Sequence, residues 1–226
     1  MPAADPVTAA PLTERLERWQ DRIREPSLTV LLLGQVLLLF VVTPLSSARV
    51  LTYASVNALQ ILLLFIASFA LPRRSKMLRG LVLVCVAAML GVTFVGSNQY
   101  IGLLLRMVGT LSITLAVGRA VFQAQRITTH QLLGAVVVYL NMALLFMGGF
   151  IALNTVLPGA FTTVAGAALK PGELLYFSLT TLTSTGYGDI VPVHPLARSL
   201  ANLEAVLGQL FLAILLARLV SQHTQR

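Results

Sequence analysis

The chain alternates between long apolar runs and short polar connectors. Six runs approach or reach the length of a bilayer-crossing helix, about 20 residues within a range of roughly 17–25. They are approximately Leu28–Thr43, Val50–Leu71, Gly80–Gly96, Tyr100–Gly118, Gln131–Leu153 and Ser199–Val220. The first is short, and flanking residues extend it. A seventh run, Glu173–Thr183, is too short to cross and predicts a helix that enters the membrane and turns back. Ahead of them all, Leu12, Leu16, Trp19 and Ile23 form one apolar stripe on a helix whose other faces are charged. A helix lying on the inner membrane surface with Trp19 as its anchor fits this stripe. So do a four-stranded bundle of N-termini and a solvated tail. The expected organisation is a cytoplasmic amphipathic segment over 1–26, a four-span unit over 27–127, and a final unit over 128–226 in which two spans flank the short seventh run.

Composition agrees with an all-α membrane protein. Of 226 residues, 57% are hydrophobic and 11% charged, against roughly 25% charged in soluble domains. No Asp or Glu lies between Glu25 and Glu173. The net charge of +8 does not point to nucleic acid, because most of the basic residues sit in connectors between apolar runs. One set of connectors holds Arg15, Arg18, Arg22, Arg24, Arg73, Arg74, Lys76, Arg79, Arg119, Arg126, Arg218 and Arg226. The opposite set holds only Arg49 and Lys170, with Arg198 near that edge. The bias predicts a multi-pass protein of the cell (plasma or inner) membrane with both termini cytoplasmic. Cys85, the single cysteine, lies in an apolar run and reads as a small core residue.

The segment from Pro171 to Pro192 carries the chemistry. A short helix opened by Pro171 leads into Ser184-Thr185-Gly186-Tyr187-Gly188-Asp189, and the last apolar helix follows. A dehydrated cation needs its water replaced by rings of oxygen dipoles, which backbone carbonyls supply. Successive carbonyls point the same way only if the backbone alternates its hand. That requires positive φ at some positions, which Gly186 and Gly188 tolerate. Irregular backbone at membrane depth survives only when buried in protein or lining a water-filled path. One chain offers one such strand, so a closed ring needs several copies about a symmetry axis.

This segment resembles the pore signature of potassium channels, whose filter reads Thr-Val-Gly-Tyr-Gly followed by Asp. The likeness covers roughly Gln131 to Val220 and is most specific over Tyr176–Pro192. It implies a homotetramer, in which the carbonyls of Ser184, Thr185, Gly186 and Tyr187 hold K+ and Gly188 completes the filter. K+ enters as the permeant ion, with no cofactor, and the expected partners are further copies of the chain and membrane lipids. Tyr187 would brace the filter, and Asp189 would sit behind its outer mouth. Ser184 and Thr185 depart from the usual Thr and Val without removing a carbonyl. Thr180 stands where many related channels carry a pore-helix Glu, leaving Tyr176 as a hydrogen-bond partner for Asp189. In the inner helix, Gly208 falls where relatives often have a flexible glycine. Gln209, Leu212, Leu216 and Val220 follow at helical spacing. They form either a pore-facing stripe, with Gln209 in the cavity and Leu216 and Val220 as a dewetting gate, or a helix-packing face.

The first four spans lack the arginine ladder and acidic partners of a voltage sensor, having Arg106 and, near the end of the fourth span, Arg119. A charge at membrane depth normally has a partner, and Glu204 is the expected partner of Arg106. The competing arrangement has Arg106 snorkelling outward and Glu204 bonded to the pore helix. His194, five residues past Asp189, would ring the outer mouth in four copies. An unperturbed histidine titrates near about 6.5, so acid would add positive charge there; an exposed loop histidine without effect is the plainer alternative. No enzyme is expected, since His130, His194 and His223 are far apart and no nucleophile constellation is present. A less selective cation channel and a non-conducting membrane scaffold are the remaining function classes.

Overall fold

A computed structural model of the chain describes residues 28–70, 76–95, 99–123, 129–164, 166 and 169–223. The amphipathic segment 1–26, with Trp19, lies outside the described residues. Long helices dominate: α1 (Leu28–Ser47), α2 (Tyr53–Ala70), α3 (Lys76–Val95), α4 (Gln99–Gln123), α5 (Thr129–Val156), the short α6 (Pro171–Leu182) and α7 (Pro195–His223). Among the described residues, α1, α4, α5 and α7 contain stretches long and apolar enough to cross a membrane. The apolar parts of α2 and α3, Ala54–Phe69 and Met77–Thr93, are shorter.

α1 runs beyond the expected stop at Thr43. Pro44 lacks the N–H that would continue the α ladder, and the helix widens into a π turn over Leu38–Val42 just before it. The Leu38 carbonyl there accepts the Thr43 backbone N–H and the Thr43 hydroxyl at 2.8 Å. The slack of the π turn lets the helix resume over Thr43–Ser47. Arg49 then stops it in a left-handed conformation, φ 61°, with Val50 N–H bonded to the Leu45 carbonyl at 2.9 Å. Glycine usually occupies that position.

Neighbouring helices pack in order, α3 on α4, α4 on α5, and α5 on α6 and α7. Two cores result. One is mostly aliphatic, built by Leu63, Leu64, Val82, Val86, Ile113 and Val117 among others, and it joins α1–α5 with Phe211 of α7. A buried polar contact crosses it, Gln35 Nε2 donating to Asn141 Oδ1 at 2.6 Å. The other core is aromatic. Phe150 of α5, Phe161 and Phe177 of α6 stack edge-on, with centroids 5.1–5.5 Å apart.

Phe161 belongs to a small ribbon that periodicity did not reveal. Strand β1 (Phe161–Thr163) pairs antiparallel with β2 (Ile190–Pro192), Thr162 opposite Val191. Strand structure was expected instead over 184–188, which has none. The ribbon ties the connector after α5 to the chain leaving the 184–189 segment. Val164 N–H bonds the Asp189 carbonyl at 3.0 Å, and Val193 N–H bonds Ala160 at 2.9 Å.

Candidate functional site

The site is the turn between α6 and β2. Pro171 at the first helical position starts α6, and the Glu173 carboxylate accepts the Lys170 backbone N–H at 2.7 Å. At its far end the helix closes in tight turns. The Thr180 carbonyl accepts Thr185 N–H at 2.8 Å and Gly186 N–H at 3.2 Å, and the Thr181 carbonyl accepts Ser184 N–H at 2.9 Å. Thr180 was singled out for its side chain. The structure uses its carbonyl on the loop, while its hydroxyl donates to Phe177 O at 3.0 Å.

From there the backbone alternates its hand. φ is positive at Ser184 (57°), Gly186 (54°) and Gly188 (78°), and not at Thr185 or Tyr187. The two glycines were legible from sequence; Ser184 was not. A non-glycine residue with φ > 0 is uncommon, and here it continues the alternation one step towards α6. In this repeat successive carbonyls can share one side of the strand. Residues 183–189 are all exposed in the single chain.

Side chains brace the turn from outside. The Tyr187 ring stacks on Tyr176, centroids 6.1 Å apart and planes 5° from parallel. The Tyr176 hydroxyl interacts with the Asp189 carboxylate. The Thr183 and Thr185 hydroxyls lie 2.9 Å apart. From α7, Gln209 Nε2 donates to Ser184 Oγ at 2.9 Å, which sets the Gln209 face of α7 against the start of the loop. Leu212, Leu216 and Val220 follow on that face, and all three are exposed in the chain.

Gly208 sits at a close contact between helices. α7 is continuous through it, and a Cβ there would lie 2.3 Å from the Leu182 carbonyl oxygen. It is the point where α7 crosses the end of α6. The same carbonyl accepts the Tyr139 hydroxyl at 3.1 Å, so α5, α6 and α7 meet on one peptide group.

The expected Arg106–Glu204 pair is not formed. Arg106 donates to Asn57 Oδ1 on α2. Glu204 is fully buried, and its Oε1 accepts the Ser178 hydroxyl of α6 at 2.5 Å. Its Oε2 has no hydrogen-bond partner among the described residues. Similar depth does not bring the two side chains together; helix rotation turns Arg106 to α2 and Glu204 to α6. Ser178 also lies 2.8 Å from the Ala143 carbonyl of α5, making a second three-helix junction that sequence spacing does not disclose. His194 precedes α7, and its Nδ1 accepts the Leu196 N–H at 3.2 Å.

Two long apolar helices, α5 and α7, thus flank a short helix and an irregular turn. Residues 128–225 match the family model described as "Ion channel". The chain's relatives include two pore potassium channel c of Oryza sativa subsp. japonica, 37% identical over 83 residues, which are 35% of this chain and 18% of that protein. Another is the inward rectifier potassium channel Kirbac3.1 of Paramagnetospirillum magnetotacticum, 32% identical over 91 residues, 38% of this chain and 28% of that one. The aligned region is thus less than a third of either relative's length. The matches support the potassium-channel resemblance read from the residues.

Proposed function

We propose that the chain is one subunit of a homotetrameric, potassium-selective channel of the cell membrane, with the carbonyls of Ser184, Thr185, Gly186 and Tyr187 facing the ions. The observation that carries this reading is the alternation of φ at Ser184, Gly186 and Gly188, the conformation that lines carbonyls along one side of a strand. Four strands around an axis complete each ring of oxygens. The exposure of residues 183–189 in the single chain fits a site that other copies finish.

In this reading the chain crosses the membrane six times with both termini in the cytoplasm. Helices α2 and α3, of 18 and 20 residues, fall within the roughly 17–25 residues that span a bilayer. Residues 27–127 form the four-span unit and 128–226 the pore. Gln209 faces the cavity below the filter, and Leu216 and Val220 line a hydrophobic gate. Four His194 side chains ring the outer mouth, and acid reduces inward current through them. Comparing His194→Gln with the unmodified channel between about pH 5 and 8 tests that part; equal acid responses in the two remove His194 as the sensor.

The whole reading is tested by purifying the chain, weighing it by native mass spectrometry and reconstituting it in liposomes. A tetramer that releases K+ but not Na+ is expected. Equal release of both cations favours a less selective channel of the same architecture. A stable, flux-competent monomer or dimer contradicts the four-fold ring.

A further inference from the structure

Three cations stand apart in the charge pattern. Arg49 and Lys170 are the basic residues in connectors opposite to nearly all the others, and Arg106 lies within a membrane-crossing run. The three are far apart in sequence, yet all line one cavity of about 450 Å³ among α1, α2, α4, α5 and the start of α6. No Asp or Glu is among its described lining residues. Glu173, the acid nearest Lys170 in sequence, is turned to a backbone N–H instead.

The cavity is built as well as charged. Arg49 is held in the left-handed conformation that ends α1, where a β-carbon is unfavourable, so this basic side chain stands at a position that backbone geometry would give to glycine. Asn57, another lining residue, accepts a hydrogen bond from Arg106. Leu51, Val56, Leu103, Met107 and Ile151 supply much of the remaining wall. Cationic hydrogen-bond donors grouped at the end of the apolar runs, one of them within a run, attract an anion, and guanidinium groups match phosphate oxygens in bidentate geometry. A freely soluble anion has no use for the apolar wall, whereas an acyl chain does.

We propose that this cavity binds one anionic phospholipid, its headgroup phosphate on Arg49, Arg106 and Lys170 and an acyl chain along Leu51 and Leu103. The site also adjoins the helix that leads into the 184–188 turn. Ser47 of α1 fills the space where a side chain on Gly172 would stand, its Oγ 1.9 Å from that Cβ position, and both residues line the cavity. Bound lipid therefore braces α1 against the start of α6. The proposal does not depend on which ion the pore conducts.

The test uses the purified full chain, delipidated in detergent and offered palmitoyl-oleoyl phosphatidylglycerol and the matching phosphatidylcholine in equal amounts. Native mass spectrometry counts the lipid retained. Phosphatidylglycerol should be preferred by about ten-fold or more, the factor that one charge-assisted hydrogen bond supplies. Arg49→Gln with Lys170→Gln should remove the preference. Arg119→Gln, at the other end of the helix that carries Arg106, should keep it. Leu51→Trp, which fills the apolar part and leaves the charges, should also lose the lipid. If the double glutamine variant fails to fold, Leu51→Trp and the charge-conserving Arg49→Lys, which should retain the lipid, carry the test. Equal retention of the two lipids, or the same loss in Arg119→Gln as in the double variant, overturns the site. Full retention of phosphatidylglycerol by Leu51→Trp also overturns it, because the anion would then bind without its chain.

Discussion

Helices α1, α4 and α5 differ from α7 in what covers them. In α1 and α4, as in α5, a third of the most apolar stretch is buried within the chain; in α7 the share is 11%. α7 nevertheless carries two close internal fixtures, the Gly208 crossing and the buried Glu204–Ser178 contact. One edge of α7 is therefore locked to α5 and α6 while most of its surface waits for something else. The aliphatic core of the first helices asks for lipid outside and packing inside, as expected of spans without a hydrophobic drive to associate beyond their contacts. The exposed α7 face continues from Gln209, so under the proposed assembly it meets the axis and neighbouring copies. The comparison separates a part that supports from a part that assembles, and substitutions can pull the two apart.

The largest effect is expected from Gly186→Asp. φ there is 54°, a region that Asp enters at a cost of order 1–2 kcal/mol. No atom of the same chain lies within 4 Å of the added Cβ. The subunit should fold, so the crowding expected around this glycine has to come from other copies. Selectivity should be lost entirely; potassium-over-sodium preference equal to wild type would remove this strand from the ion path.

Leu64→Ala probes the supporting half. Leu64 is buried and fills the space beside Gly109. The truncation should cost about 2–5 kcal/mol, read as a lower unfolding temperature in detergent, with an unchanged reversal potential. A changed reversal potential would mean that the two halves are not separable.

Gly208→Ala reports on the junction. Its Cβ would press on the Leu182 carbonyl at 2.3 Å, and backbone yields less readily than a side chain. A loss of about 1–3 kcal/mol is expected, with earlier thermal dissociation of the oligomer. A hinge glycine would instead tolerate Ala with little loss of stability and show altered opening.

The smallest effect is a coupling of nearly zero. Arg106 and Glu204 have different partners, Asn57 and Ser178. Arg106→Gln and Glu204→Gln should each destabilise, and their combination should be additive within about 0.3–0.5 kcal/mol. Partial recovery in the double variant would restore the ion pair that the geometry rejects.

These outcomes also mark what sequence could convey. The apolar runs located the helices to within a few residues, because burial in lipid writes its length into composition. Glycine at 186 and 188 announced positive φ, since few other residues go there cheaply. Ser184 gave no such sign; its φ is imposed by the Thr180 and Thr181 carbonyls that pin the turn. Gly208 looked like a hinge because a lone glycine in a helix does not say whether it bends or admits a neighbour. The β1–β2 ribbon joins residues 27 or more apart through three-residue strands, too short for alternation to register. The Arg106 and Glu204 partners depend on helix rotation, which depth along the chain does not fix. The lining of the cavity by Arg49, Arg106 and Lys170 was likewise invisible until three connectors and helices were placed together.

The central claim is that the 184–188 segment selects potassium, and reversal potential tests it most directly. Purified protein in a planar bilayer should be given potassium on one side and an equal concentration of sodium on the other. The account predicts a current whose reversal lies far from zero, at the sign that holds potassium back. Sustained current that reverses near zero would contradict it.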